Sequence, residues 1–178
     1  MERPIFKPIG TLAEELDTPS LVVDLSLMEG NLSTVHSFFG NLKAKLRPHI
    51  EAHRCPAIAH KQLAAGGTVG GIAVTTLGQA EVFSASGFTD ISVTNVIVTS
   101  QKITRLCALA KSTKMTVAVD DERNVNDLSE AANAEGLSLD VLVHINTRLN
   151  SYGVDPGKPA LDLAKAISRA PALRFAGL

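Results

Sequence analysis

Aromatic residues are scarce in this sequence, at 4% of 178 residues, and tryptophan is absent. Basic runs are short, and the formal net charge is −1. Proteins that bind nucleic acids rely on basic surfaces and on aromatic side chains that stack on bases. The composition therefore argues against a nucleic-acid partner.

Cysteine is also rare. Cys55 and Cys107 lie far apart and outside any CxxC spacing, which favours free thiols over a metal site or a disulfide. No stretch approaches the roughly 20 apolar residues that a bilayer-spanning helix needs. The first residues, MERPIFKPIG, lack the apolar segment of a signal peptide. These absences predict a cytoplasmic protein with no membrane partner.

Two kinds of segment alternate along the chain. Short apolar runs rich in β-branched residues predict strands, and longer runs rich in alanine and leucine predict helices. The predicted strands cover residues 20–25, 45–50, 71–75, 90–94, 115–120, 141–145 and 173–177. The predicted helices cover residues 27–39, 56–65, 77–86, 100–112, 122–134 and 159–170.

This alternation predicts an α/β fold with parallel strands and right-handed crossovers. Either an open doubly wound sheet or a (β/α)8 barrel of the TIM type satisfies it. No GxGxxG follows the first predicted strand, so the nucleotide-binding form is weakly supported. Seven strands and six helices are one strand and two helices short of a barrel. We therefore expect residues 1–178 to form a single, incomplete barrel domain.

Several segments resemble one enzyme family. They include LDTPSLVVDLSLMEGNL at residues 16–32, RPHIEAHRCPAIAHKQLAAG at 47–66, LGQAEVFSASGFTDISVTN at 77–95, VAVDDERNV at 117–125, and LDVLVHIN at 139–146. In this order they resemble the D-threonine aldolase and D-serine dehydratase family, pyridoxal-phosphate enzymes with an alanine-racemase type of barrel. The resemblance implies a lyase that acts on D-3-hydroxy amino acids with pyridoxal phosphate as cofactor.

The sequence departs from that family at the residue that matters most. The family segment usually reads RPH-x-K-x-HK-C-P, and its lysine forms a Schiff base with the cofactor aldehyde. Glu51 stands at the matching position. A carboxylate cannot form an imine, and its charge opposes an anionic cofactor. Where the family usually has an aspartate and an arginine before Gly153, this chain has Asn146 and Ser151.

The resemblance also assigns positions around the cofactor. By resemblance, the candidate cofactor-binding residues are His49, Arg47, His53, Asn146 and Ser151. The eighth strand and a C-terminal β-domain, which in the family carries ligands of a divalent metal, would follow Leu178. We expect a barrel truncated before that strand, without the β-domain. Its open edges would aggregate or be covered by a homo- or hetero-oligomeric partner.

Three candidates have alternative interpretations. His49, Glu51 and His53 share one face of an extended strand and could form a two-histidine, one-carboxylate metal site, although cofactor-flanking histidines are favoured. His144 is either a general base or a hydrogen-bonded interior histidine. Arg47 or a histidine could pair with Glu51 and make it structural. The two nearest lysines, Lys45 and Lys61, are interpreted as surface residues.

Three hypotheses about function remain open. The favoured one is a degenerate, incomplete family member without normal Schiff-base catalysis. The second is an active D-amino-acid lyase or racemase that uses another lysine or a longer chain. The third is a non-catalytic half-barrel that pairs with a full-length relative.

Overall fold

The computed structural model describes residues 7–147 and 152–178. Six α-helices and five strands alternate along them. In chain order they are α1 (Leu25–Gly40), α2 (Pro56–Ala64), β1 (Ile72–Val74), α3 (Leu77–Ala85), β2 (Asp90–Val96), α4 (Ser100–Ala110), β3 (Lys114–Val119), α5 (Glu122–Ala134), β4 (Leu139–Val143), α6 (Lys158–Arg169) and β5 (Leu173–Gly177). Short 3-10 turns occur at Ala13–Glu15 and Ile50–Ala52.

The strands form one parallel sheet in the order β1-β2-β3-β4-β5. Each strand pairs with the next one in sequence, as expected when a helix returns the chain after every strand. This confirms the predicted α/β class, the last five predicted strands and the six predicted helices to within a few residues. No helix in the described ranges is long and apolar enough to cross a membrane.

The prediction of a strand at residues 20–25 is wrong. Residues 20–24 form no strand, and Leu25 already belongs to α1, whose first turn is capped by Asp24 through a 2.9 Å bond from the Leu27 N–H. The side chains of Leu21 and Val22 are 102% and 69% exposed. A β-branched apolar run becomes a strand only when a neighbouring strand pairs with its backbone, and none does so here.

The second predicted strand, at residues 45–50, is also wrong as a regular strand. It is reduced to two isolated parallel bridges, Leu46 with Thr68 and His49 with Ala73. Pro48 accepts a 2.8 Å hydrogen bond from the Ala73 N–H but has no N–H to return. The chain then tightens into the 3-10 turn at Ile50–Ala52, so the sheet has five strands rather than seven.

The core lies between the sheet and its helices. Ile91 and Val93 of β2 and Val117 and Val119 of β3 are almost fully buried in one cluster, together with helical side chains such as Leu128. The alternate residues lie on the opposite face of the sheet. In register from β1 to β5, these are Ala73, Ser92, Thr116, Asp140 and Arg174. At this level of the sheet, the face turned away from the helices therefore carries small or polar side chains.

Candidate functional site at the carboxyl ends of the strands

Functional groups of parallel α/β proteins gather where the strands end. Thr75 directly follows β1, Thr94 lies in the last part of β2, Asp120 follows β3, and His144 follows β4. Because the strands are parallel, these residues lie along one edge of the sheet. Glu51 joins that edge beside β1.

The turn around Glu51 is built locally. Ile50 is fully buried and anchors the 3-10 turn Ile50–Ala52. Arg54 has a φ of 49°, in the left-handed region that non-glycine residues seldom adopt, and its N–H donates to the Ile50 carbonyl over 2.7 Å. This backbone reversal brings the Arg54 guanidinium back to Glu51 before α2 begins.

The Glu51 carboxylate is held by three side chains. Its Oε2 accepts from the Thr75 hydroxyl over 2.9 Å and from Gln79 Nε2 over 2.8 Å. Its Oε1 accepts from the Arg54 guanidinium. The hydrogen bonds from Gln79, Thr75 and Arg54, in that order of effect, lower the pKa of Glu51 from 4.5 to about 2. Glu51 is therefore a firmly ionised group at neutral pH.

Gln79 has its orientation fixed by the backbone. Its Oε1 accepts from the N–H groups of Thr75 (2.9 Å) and Thr76 (3.1 Å). Thr76 in turn accepts from the Gln79 N–H and completes a capping box at the start of α3. Since the oxygen of the amide faces the backbone donors, its Nε2 must face Glu51.

The two histidines beside Glu51 have both ring nitrogens in use. His49 Nδ1 accepts from the Glu51 N–H (3.3 Å), and His53 Nδ1 accepts from the Cys55 N–H (3.0 Å). Their Nε2 atoms lie 3.2 Å from Thr94 Oγ1 and 3.1 Å from the Gln62 Oε1 acceptor. Both rings are therefore engaged with neighbouring residues through both nitrogens.

The alternative metal site at His49, Glu51 and His53 loses the strand geometry on which it was based. The 3-10 turn removes the strand alternation that would have placed the three side chains on one face. Within the described ranges, no group of three or more histidines, cysteines or acidic residues could hold a metal ion.

Arg47 lies at the other end of the sheet. Its Nη1 donates to Asp90 over 2.7 Å and to the Ile72 carbonyl over 3.3 Å. Asp90 and Lys114 are the first, paired residues of β2 and β3, and they form a second ion pair at 3.1 Å. The predicted contact of Arg47 with Glu51 is thus wrong. Arg54 supplies that contact.

The sixth predicted strand ends in a folded-back loop. The His144 ring packs against the Tyr152 ring, with centroids 4.5 Å apart, and the Asn146 N–H donates to the Val154 carbonyl over 2.8 Å. Gly153 has a φ of 99°, and a Cβ there would approach His144 Cδ2 to 2.8 Å. Its N–H donates to Asp120 Oδ2 over 3.0 Å. Ser151 lies outside the described residues.

Sequence reasoning overlooked Gln79 and Arg54. The segment TTLGQ at residues 75–79 has the T-x-x-Q spacing of a capping box, which indicates that Gln79 folds back onto the backbone. That signal places Gln79 at the end of β1, next to Thr75. Nothing in the sequence indicates the left-handed turn that returns Arg54 to Glu51.

The fold and this site define the class of protein. The sequence profile of the alanine racemase N-terminal domain family matches residues 23–178. The chain belongs to this family.

Similar sequences narrow the class. The chain is 37% identical to a D-threonine aldolase from Arthrobacter sp over 175 residues, which are 98% of this chain and 45% of that protein. It is 33% identical to a 3-hydroxy-D-aspartate aldolase from Paracoccus denitrificans over 170 residues, 95% of this chain and 44% of that protein. The chain thus spans about half the length of these curated relatives.

A solved structure agrees with these sequences. The crystal structure of D-threonine aldolase from Filomicrobium marinum superposes with a TM-score of 0.88 at 44% identity, and the match covers 92% of this chain and 43% of that one. The incomplete barrel predicted from the strand pattern is therefore the family's N-terminal barrel domain.

Pyridoxal phosphate, the cofactor that the resemblance implies, would find no amine at the position of the family lysine. The position of the family lysine holds a carboxylate whose hydrogen-bond partners are Gln79, Thr75 and Arg54. The flanking lysines face elsewhere: Lys45 donates to the Phe39 and Gly40 carbonyls at the end of α1, and Lys61 pairs with Glu29 at 2.7 Å. Both are surface lysines, as predicted.

Proposed function

We propose that this chain is a family member whose barrel mouth does not carry out Schiff-base chemistry. The observation that supports this most directly is the Glu51 carboxylate, which accepts hydrogen bonds from Thr75, Gln79 and Arg54. A carboxylate has no nitrogen, so it cannot form an imine with an aldehyde as the amine of a lysine does.

The surroundings of Glu51 match an anion and disfavour a cation. Thr75, Gln79 and Arg54 all direct donors at this position, and the Gln79 amide cannot rotate without breaking its bonds to two backbone N–H groups. An ammonium group in the same place would face the Gln79 amide N–H and the Arg54 guanidinium, neither of which can accept a hydrogen bond. Glu51 is therefore accommodated as a hydrogen-bond acceptor, and the donors around it suit a carboxylate in place of the family's lysine.

The ligand class of the mouth follows from the relatives' names. D-threonine aldolase and 3-hydroxy-D-aspartate aldolase act on D-3-hydroxy amino acids by name. We propose the same class for this chain, bound without a covalent link. The Glu51 carboxylate would attract the ligand's ammonium group, and Thr94 with His49 offers polar contacts along the same edge.

Turnover tests this proposal. The purified chain is incubated with D-threonine or D-3-hydroxyaspartate, pyridoxal phosphate and a divalent metal, beside a full-length relative as positive control. We expect the relative to form aldehyde or keto-acid product and this chain to form none above a protein-free blank. Turnover by this chain that survives further purification would contradict the proposal and favour an active lyase.

A second candidate function is self-association. Among the described residues β5 pairs with β4 alone, and Phe175 and Leu178 at this end of the sheet are 38% and 75% exposed. Residues 21–23 are also apolar, exposed and without a strand partner. Because unpaired strand edges join to other chains, we propose that a second copy of this chain covers these edges.

A further inference from the structure

We infer that Arg54, Thr75 and Gln79 form a binding site for a small carboxylate or oxyanion, and that Glu51 fills this site as a tethered ligand. The inference goes beyond the absence of Schiff-base chemistry, because it assigns an anion site that is closed by the chain's own side chain. It rests on the proposed function only in treating Glu51 as an ionised occupant.

The Gln79 amide is held in place by contacts that do not involve Glu51, and the backbone positions of Thr75 and Arg54 do not depend on the Glu51 carboxylate. Gln79 is fixed by the Thr75 and Thr76 N–H groups, which leave its Nε2 directed at the site. Thr75 directly follows β1, whose three residues are buried. Arg54 is returned by the left-handed turn and its 2.7 Å backbone bond to Ile50. With Glu51 shortened, the Gln79 Nε2 would keep its direction. The Thr75 hydroxyl and the Arg54 guanidinium, which now donate to Glu51, would be left to donate to another anion at the same place.

The Glu51 side chain has the same functional group as the small carboxylates that we infer as ligands. A carboxylate takes donors on both oxygens, and Glu51 receives Thr75 and Gln79 on one oxygen and Arg54 on the other. A guanidinium, a hydroxyl and an amide N–H also suit formate, acetate or phosphate, since charge-assisted hydrogen bonds favour such acceptors.

The site is open to solvent. The side chain of Glu51 is 37% exposed and that of Arg54 is 66% exposed, so an external anion can reach the donors when Glu51 leaves. While Glu51 is attached, its carboxylate competes at the effective concentration of an intramolecular ligand, on the order of millimolar or higher. Glu51 therefore acts as a built-in inhibitor of anion binding.

Substitution of Glu51 tests the inference. Glu51→Ala removes the carboxylate and vacates the site, whereas Glu51→Gln keeps a side chain in it. Sodium formate is titrated against sodium chloride at matched ionic strength, and the side-chain N–H signals of Gln79 and Arg54 are followed by NMR. We expect saturable formate-specific shifts in Glu51→Ala, with affinity at least about tenfold above that of the wild-type chain. Glu51→Gln, which keeps an acceptor oxygen in the site but no charge, should bind formate more tightly than the wild type and more weakly than Glu51→Ala.

Gln79→Glu in the Glu51→Ala background is the matched control. It keeps the oxygen that caps α3 and replaces the Nε2 donor by a charged acceptor, so formate binding should be lost. A well-dispersed spectrum of Glu51→Ala without formate-specific shifts would overturn the inference, and so would equal binding in the control. Either result would leave the proposed absence of Schiff-base chemistry standing, since that is tested by turnover.

Discussion

Gln79 donates from Nε2 to Glu51 Oε2 over 2.8 Å, while its own Oε1 accepts from two backbone N–H groups at the start of α3. Gln79, which caps α3, therefore also presents a hydrogen-bond donor to position 51. An acceptor at position 51 completes the arrangement, and a donor opposes it. The local structure at the family's lysine position therefore suits the negative charge of Glu51 and opposes the positive charge of a lysine.

The first prediction concerns pH. The pKa of Glu51 is lowered from 4.5 to about 2 in the folded chain. A carboxyl with a lowered folded-state pKa stabilises the fold fully above its unfolded pKa, and this contribution is lost as the pH falls toward the folded value. We expect the stability difference between wild type and Glu51→Gln to be constant near neutral pH and to shrink between pH 4.5 and about 2. Urea unfolding at several pH values measures it. A difference that does not change across this range would contradict the assignment.

The second prediction couples positions 51 and 79. Glu51→Lys should lower the urea midpoint, because an ammonium then meets the Gln79 amide N–H and the Arg54 guanidinium. Gln79→Glu alone should also lower it, because two carboxylates then face each other. The double variant should recover much of the loss, since the amide oxygen's capping role is kept and the new charges are opposite. Simple additivity of the two single losses would show that the residues do not interact.

The third prediction concerns Gly71. A Cβ at Gly71 would lie 2.4 Å from Arg47 Nη1 and 2.6 Å from Asp90 Oδ1. Gly71→Ala should therefore push apart the ion pair at the amino end of the sheet and destabilise the chain by about 1–3 kcal/mol. Gly78→Ala is the control: no atom lies within 4 Å of its Cβ, and helical alanine should stabilise by about 0.5–1 kcal/mol. Equal effects of the two substitutions in urea unfolding would refute the steric argument.

The fourth prediction tests self-association through the unpaired edges. Val22→Lys places a charge on the exposed apolar segment and should reduce the self-associated fraction measured by sedimentation velocity. Val82→Lys, on α3, is the matched control, because Val22 and Val82 are 69% and 58% exposed. Identical sedimentation of both variants and the wild type would exclude this segment from the interface.

Much of the fold could be predicted from the sequence because its signals are local. Apolar β-branched runs and helical periodicity located the last five strands and all six helices. The first two strands failed because strand formation also depends on a partner. Residues 20–24 have none, and Pro48 interrupts the ladder beside β1.

The candidate site could be predicted only in part. The substitution at Glu51 is visible in the motif. Its actual partners depend on backbone geometry: Arg54 is returned by a left-handed residue, and Gln79 by a capping box. Arg47 was assigned to the wrong end, since sequence proximity to Glu51 does not show that Asp90 is its partner.

The central claim is that position 51 holds a carboxylate, and that no lysine replaces it in Schiff-base chemistry. The most direct measurement is to incubate the wild-type chain with pyridoxal phosphate, reduce it with borohydride and locate any adduct by peptide mass spectrometry. We predict only scattered, substoichiometric modification of exposed lysines. A single stoichiometric adduct on one lysine would contradict the account and identify the residue that takes the place of Glu51.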